Sequence, residues 1–472
     1  MTIASAKRIH FTGIKGVGMT ALALSLKAAG KIISGSDTAE VFPTDKVLKK
    51  NGIRVKTGFN PKNIGREVDL VIYTGAHGGA DNSEVVSAKA KKLTVLNYAQ
   101  GLGDWAKTRR VLATAGVGGK STTAAILSHL LEQASFRPSW VVGVGQIKPL
   151  GSPGGFNKKG TDMVIETDEY VADPKYDLTP KFHYLKPFVA IITNLELDHP
   201  DVYPDLDSVF ASFKKFVNDV PQTGMILINI DNKNCQQFVK NLDKPVVTYG
   251  FSPQADWRIS KSHTAEQKQF FTLSHKGMLI ADFIVGLPGR YNLLNSTAAI
   301  VAAYHLGVDL PKLQQGLKGY LGSKRRFEFI GKVKGISLYD DYAHHPVEVK
   351  ALLSAVKDWL PGSRIIVVFQ SHTYSRTKVL LPAFARCFEQ ASAVLVNQIF
   401  ASARETDDLG ISGEVLAKEI SKHHPQVEYC SGKTATINYL LANAKKNDVI
   451  ITVGAGNNWL WHKEMLAALK QK

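Results

Sequence analysis

Residues 113–126, ATAGVGGKSTTAAI, place Gly116, Gly118 and Gly119 ahead of Lys120, Ser121 and Thr122. Glycines let a backbone turn close around a phosphate, a lysine behind them reaches the outer phosphates, and the next hydroxyl is a hard ligand for Mg²⁺. The spacing departs from the usual phosphate loop, because Thr114 stands where its first glycine is expected. Val111 to Ala113 read as a buried strand, and Ser121 opens a helix whose first amides and dipole favour phosphate. The alternative is a glycine-rich turn that binds nothing, with Lys-Ser-Thr-Thr capping the helix.

Mg²⁺ needs further oxygen ligands, and two later strand ends offer them. VIETDEY supplies Glu166, Asp168 and Glu169; ITNLELDHPD supplies Asn194, Glu196, Asp198, His199 and Asp201. The first strand ends in GIKGVG, where Gly13, Gly16 and Gly18 are spaced GxxGxG, unlike the dinucleotide fingerprint GxGxxG. Asp37 follows the next strand, about where a ribose hydroxyl would be read. Both facts suit a phosphate-bearing nucleotide other than NAD; the competing reading is a tight packing turn. The last third is polar at its strand ends: LYDDYAHHP carries Asp340, Asp341, Tyr342, His344 and His345, FQSHTYSR carries His372 and Arg376, and VGAGN forms a glycine turn. These residues form either a substrate-binding edge or a hydrogen-bonded scaffold. A zinc site would need a helical HxxxH or a CxxC partner, which the sequence does not place nearby.

The elements that must position these residues repeat one order, a short β-branched run, a glycine-rich or polar turn, then an amphipathic helix. RIHFTGIKGVGMTALALSLKAAG opens the first such unit, RRVLATAGVGGKSTTAAILSHLLEQA the second, and SRIIVVFQSHTYSRTKVLLPAFARCFEQA lies in the third. The pattern predicts an α/β fold with parallel sheets, whose ligands sit beyond the carboxyl ends of the strands. A chain of 472 residues is too long for one core. Boundaries are expected near Lys107 and Gly322, giving segments 1–107, 108–322 and 323–472.

Composition narrows the class. With 44% apolar and 21% charged residues the chain is globular, and no apolar run is long enough to cross a bilayer. Lys15 and Lys27 interrupt what would be a secretion signal, so a cytoplasmic protein is expected. Cys235, Cys387 and Cys430 are far apart, which fits a reducing compartment and neither a disulfide framework nor a zinc ribbon. The net charge of +17 favours anionic partners. Its basic residues are scattered in pairs and one triplet, Lys324-Arg325-Arg326, so a polyanionic small substrate is expected rather than nucleic acid or a membrane.

Ten segments in order resemble the Mur ligases of peptidoglycan synthesis: HFTGIKGVGMTALA, ISGSD, AGVGGKSTT, IETDE, TNLELDH, GRYNLLNSTAA, RRFE, DDYAHHP, FQSHTYSRT and GAGN. The resemblance implies an N-terminal Rossmann-like UDP-binding domain, a central P-loop ATPase-like domain and a C-terminal Rossmann-like domain. It implies an ATP- and Mg²⁺-dependent amide ligase that adds L-alanine to the lactyl carboxylate of UDP-N-acetylmuramate through an acyl phosphate, working as a monomer or homodimer. The implied ATP contacts are Gly116, Gly118, Gly119, Lys120, Ser121, Thr122, Asn292, Asn295, Arg326 and Asp341. The implied metal ligands are Ser121, Glu166 and His199, although hard-cation chemistry by itself favours Asp198 over His199. The implied substrate contacts are Gly13, Lys15, Gly16, Val17, Gly18, Ser36 and Asp37 for the UDP part, with Tyr342, His344, His372 and Arg376 in the C-terminal segment. Lys120, Glu166, His199, His344 and Arg376 are the implied catalytic set. Three departures stand out: Val117 and Gly118 replace a threonine and a histidine usual in this branch of the family, Ser371 and Thr373 replace a proline and an arginine found in other members, and TGAHGGADN is longer and richer in glycine than usual. Two further readings remain: a recycling ligase that attaches a ready-made peptide to the same sugar, from which FQSHTYSRT differs, and a non-catalytic nucleotide-binding protein.

Overall fold

Four strand groups appear in a computed structural model that describes residues 1–198, 202–401, 405 and 407–472. The first is a five-stranded sheet with Arg8–Thr12 at its centre, flanked by Ile32–Asp37 and Leu70–Tyr73, with Val55–Thr57 and Thr94–Asn97 outermost. All its pairings are parallel. The central strand is buried on both faces from Ile9 to Thr12, as expected where helices cover both sides, although His10 and Thr12 make one of those faces polar.

The second sheet has ten strands. Arg110–Ala115 lies inside it between Pro187–Ile192 and Asp162–Glu166, again in parallel. Its far end becomes antiparallel where Lys268–His275 pairs with Met278–Val285. Helix Lys120–Gln133 leaves the turn after Arg110–Ala115, and every residue from Ser121 to Leu131 is buried. A separate antiparallel hairpin pairs Val171–Asp173 with Asp177–Pro180.

The first two sheets share one core, which runs from Ile3 and Phe11 through Val111 and Ala190 to Phe238. The contact is close because of glycine. A Cβ on Gly154 would stand 1.8 Å from the Ala21 carbonyl oxygen of helix Val17–Ala28, so only a bare backbone fits there. Ser25 of that helix donates to the Gly155 carbonyl and accepts from the Trp105 indole. Its residues Met19 to Leu26 are consequently buried all round rather than along one stripe.

The third sheet has six strands, with Asp448–Val453 at the centre between Ile336–Asp341 and Arg364–Phe369. It is parallel except for the edge strand Glu328–Val333, and apolar clusters cover its two faces. The chain divides into two compact units: Met1–His263 with Gln269–Gly286 and Asn292–Lys324, and Arg325–Lys472 with Thr264–Lys268 and Leu287–Tyr291. Among the described residues no helix is long and apolar enough to cross a membrane.

Candidate active site

The glycine turn after Arg110–Ala115 is built for close approach. Gly116 has φ +124° and Gly119 φ +84°, both in the region that side chains avoid. A Cβ on Gly116 would meet Thr193 Oγ1 at 2.4 Å and the Asn194 carbonyl at 2.6 Å; one on Gly119 would meet Asn295 Oδ1 at 2.4 Å. The turn is braced from the neighbouring strand end. Asn194 Oδ1 accepts from the Val117 and Gly118 amides at 2.8 and 2.9 Å, and Thr193 Oγ1 donates to the Gly118 carbonyl at 2.6 Å. The threonine and histidine side chains absent at 117 and 118 therefore do not shape the turn; backbone amides held by Asn194 do.

Lys120 and Ser121 open the helix and find partners at the end of Asp162–Glu166. Ser121 Oγ donates to Glu166 Oε1 at 2.7 Å, and the other oxygen of Glu166 accepts from the Gly143 amide at 2.6 Å. Lys120 Nζ contacts both oxygens of Glu169, at 2.9 and 3.2 Å. Burial pulls the Lys120 pKa down, but Glu169, Asp168 and Glu166 outweigh it and push it above the ordinary lysine value. The ammonium is thus firmly charged, as a phosphate ligand must be. Asp168 pairs with Lys181 at 3.2 Å. Burial raises its pKa, yet Lys181 and Lys120 bring it below the usual carboxylate range.

Of the carboxylates expected to serve a cation, Glu166 is seen beside the Ser121 hydroxyl. Glu169 and Asp168 pair with lysines, and Glu196 accepts from the Asn232 and Asn234 amides at 2.7 and 3.1 Å. Ser121 and Glu166 are both oxygen donors, the set a hard divalent cation prefers, so these residues fit Mg²⁺. His199 and Asp201 lie outside the described residues. Thr122 sits in the first turn of the helix, while Asn292 and Asn295 are buried on helix Arg290–His305. Asn295 accepts from Thr123 Oγ1 and donates to Asn292, so it supports the back of the glycine turn.

In the N-terminal turn the polar side chains named from the sequence have partners within the protein. Asp37 is buried, and its carboxylate accepts from the Lys15 amide at 2.7 Å and the Thr38 amide at 2.8 Å, so it holds its own loop. Lys15 Nζ donates to the carbonyls of Thr38 and Glu40. Ser36 also points inward, because its hydroxyl donates to the buried Glu84 at 2.5 Å. Gly13 adopts φ +84°, and a Cβ on Gly18 would lie 2.9 Å from the Tyr98 hydroxyl. Gly16 and Val17 begin helix Val17–Ala28, Gly16 as its N-cap.

Glu84 had no motif to announce it. It also accepts from Thr12 Oγ1 at 2.7 Å, Asn63 Nδ2 at 2.6 Å and the Asn60 amide at 3.2 Å, with His10 Nε2 at 3.4 Å. The available signal was its place one helical turn before Ala88, on the face of Ser83–Ala90 that packs inward.

In the second unit, Arg326, Asp341, Tyr342 and His344 gather around the start of helix Pro346–Trp359. Asp341 is buried and accepts from the Phe327 amide at 2.7 Å and the Ala343 amide at 2.8 Å, which makes it a brace for its own loop. Burial raises its pKa to about 6, against the pull of Arg326 and those amides. The Arg326 guanidinium lies 5.3 Å over the Tyr342 ring. His345 caps the helix, accepting from the Val347 amide, while Glu348 reaches back to the His344 and His345 amides. His344 Nδ1 donates to the Tyr342 carbonyl at 3.0 Å and lies 3.6 Å from Glu348. The paired histidines thus form a helix start. His372 stacks on Phe400, and Arg376 lies in the short helix Tyr374–Val379, which Thr373 caps at φ +70°. Gln370 fills the last glycine turn, its Oε1 accepting from the Asn457 and Asn458 amides at 2.7 and 2.9 Å.

Three family models match this chain in order: the Mur ligase family catalytic domain over residues 8–110, the Mur ligase middle domain over 115–303, and the Mur ligase glutamate ligase domain over 325–456. A curated UDP-N-acetylmuramate--L-alanine ligase from Caldanaerobacter subterraneus subsp. tengcongensis is 35% identical over 96% of this chain and 95% of its own length. Among solved structures, UDP-N-acetylmuramate-alanine ligase from Thermotoga maritima superposes with a TM-score of 0.82 at 24% identity, covering 98% of this chain and 99% of that one. A murein peptide ligase from Psychrobacter arcticus reaches 0.72 at 25% identity, covering 99% of both chains.

Proposed function

The chain belongs to the Mur ligase family, and from that premise we propose that it joins L-alanine to the lactyl carboxylate of UDP-N-acetylmuramate at the expense of ATP. A carboxylate is a poor acceptor for an amine because oxide would have to leave. Phosphorylation removes that obstacle. The γ-phosphoryl group passes to a carboxylate oxygen as ADP departs; the amine then attacks the acyl carbon, the C–O bond breaks, phosphate carries off the electron pair, and the nitrogen loses a proton.

Such a transfer asks the protein to position reactants and neutralise charge. The observation that carries the reading is the braced glycine turn with Lys120 and Ser121 standing against Glu166 and Glu169. Lys120 exchanges Glu169 for the outer phosphates. Ser121 and Glu166 hold Mg²⁺, with His199 the third ligand by family resemblance. Mg²⁺ supplies neutralisation of phosphate charge when bound. Segment 1–107 receives the UDP sugar, chiefly through the backbone of the Gly13–Gly18 turn; segment 108–322 receives ATP; and Arg326, Tyr342, His344, His372 and Arg376 in segment 323–472 serve nucleotide and amino acid. The site of action in this reading is the cytoplasm, which the three free cysteines support.

The test is phosphate release from ATP by the purified protein. Release is expected only when UDP-N-acetylmuramate, Mg²⁺ and L-alanine are all present. Release without the sugar nucleotide, or with a peptide but not with L-alanine, would overturn the assignment, the second outcome in favour of a recycling ligase.

A further inference from the structure

A second lysine stands in the cluster at the end of Asp162–Glu166, and no sequence motif marked it. Lys181 Nζ lies 3.2 Å from Asp168 Oδ2, 3.7 Å over the Tyr170 ring and 5.3 Å from the Tyr98 ring centre. Tyr98 is the residue whose hydroxyl abuts Gly18 of the N-terminal turn. Asp168 feels both Lys181 and Lys120. Lys181 therefore lies between the two glycine turns, all within one compact unit.

Its position is fixed from both sides. It directly follows the 171–180 hairpin, where Asp173 accepts from the Ala80 amide at 3.1 Å and Asp177 from the Asn97 side chain at 2.7 Å. Gly79 and Gly75, in the segment found unusually long and glycine-rich, allow that contact: a Cβ on Gly79 would stand 2.7 Å from Asp173 Oδ2, and one on Gly75 would stand 2.7 Å from the Ala172 carbonyl. The Lys181 side chain is 15% exposed and Asp168 25%, so the largely buried pair keeps a partial opening to solvent.

The reaction brings an acid group up to a triphosphate. Like charges repel, and Glu166, Asp168 and Glu169 already outnumber the two lysines of the cluster. Lys120 is committed to the phosphate loop. An incoming carboxylate needs its own cation, on the side facing the nucleotide sugar. We propose that Lys181 receives the lactyl carboxylate of the sugar nucleotide, exchanging Asp168 for it, and so determines that only an acid-bearing sugar is held for phosphoryl transfer. The proposal rests on the ligase reading above.

UDP-N-acetylglucosamine is the same nucleotide sugar without the lactyl acid, so the affinity ratio of the two nucleotides isolates the carboxylate contact. Titration calorimetry on wild type and Lys181→Met is expected to show the acid-bearing nucleotide weakened about tenfold or more, as for a lost charge-assisted hydrogen bond. UDP-N-acetylglucosamine stays within about twofold, on the additivity expected of a contact it never makes. In turnover, KM for UDP-N-acetylmuramate rises while KM for ATP holds, and Lys181→Arg restores most of the ratio. Equal weakening of both nucleotides, the behaviour of a strut, or an unchanged ratio would overturn the proposal. Asp168→Asn supplies a second reading, because removing the competing anion should increase the preference for the acid; a preference lowered or unchanged also counts against Lys181. A wild-type protein that binds neither nucleotide and releases no phosphate would instead remove the ligase reading itself.

Discussion

Glu84 gives the most quantitative prediction. It is buried and collects Thr12, Ser36, Asn63, the Asn60 amide and His10 on its two oxygens. Burial by itself would raise its pKa, but the hydrogen bonds from His10, Ser36, Asn63 and Thr12 outweigh it and bring the value to about 2, against an ordinary 4.5. That difference corresponds to about 3 kcal/mol of folding stability at neutral pH. The sign follows from a depressed acid: the contribution is complete above the unfolded pKa of 4.5 and drains away as the pH falls through 2. Glu84→Gln removes the charge and is expected to destabilise the protein by roughly 2–4 kcal/mol at pH 7. The gap between variant and wild type should narrow by about 2 kcal/mol on going to about pH 3, because wild type then loses most of its own advantage. Urea unfolding of both proteins at several pH values, followed by tryptophan fluorescence, measures this gap. A gap that stays constant, or widens in acid, would refute the reasoning. Because Thr12 and Ser36 end the strands beside the Gly13 turn, the variant should also raise KM for the sugar nucleotide more than KM for ATP.

Other perturbations separate geometry from charge. Lys120→Met should lower kcat by about a thousandfold or more and also reduce stability, because it strips the buried Glu169 of its lysine; adding Glu169→Gln should recover the melting temperature but not the turnover, and recovered turnover would contradict the phosphate role. Gly116→Ala should cost about 2–4 kcal/mol and raise KM for ATP, since φ is +124° and the new Cβ meets Thr193 Oγ1 at 2.4 Å. Gly151→Ala, at φ +71° with open space around it, is the control and should cost only about 1 kcal/mol by thermal or urea unfolding; equal losses would refute the steric account. Glu166→Gln should raise the Mg²⁺ concentration for half-maximal activity by about tenfold or more, and an unchanged requirement would remove Glu166 from the metal site.

The parts of the fold legible in the sequence are those whose cause is local. Arg8–Thr12 and Arg110–Ala115 are short, largely buried runs followed by glycines, and Gly116 and Gly119 do take the conformations that only glycine accepts freely. What the sequence concealed are partners brought from afar. Asn194 reaches the phosphate-loop amides across 77 residues, and Glu84 reaches Thr12 across 72. Neither pairing leaves a local spacing to read. Asp37 shows a related effect: a carboxylate at the end of a strand suits a ribose hydroxyl and a neighbouring amide equally well, and the sequence does not show that the Lys15 amide binds it. The 171–180 hairpin was missed because its strands are too short for periodicity.

Each of the three sheets carries a glycine turn in which one side chain accepts from one or two backbone amides, Asp37 from Lys15, Asn194 from Val117 and Gly118, and Gln370 from Asn457 and Asn458. These plugs act as templates that set loop curvature before any anion arrives. Ligand capture then needs little backbone freezing, so its conformational-entropy penalty is met during folding rather than at encounter.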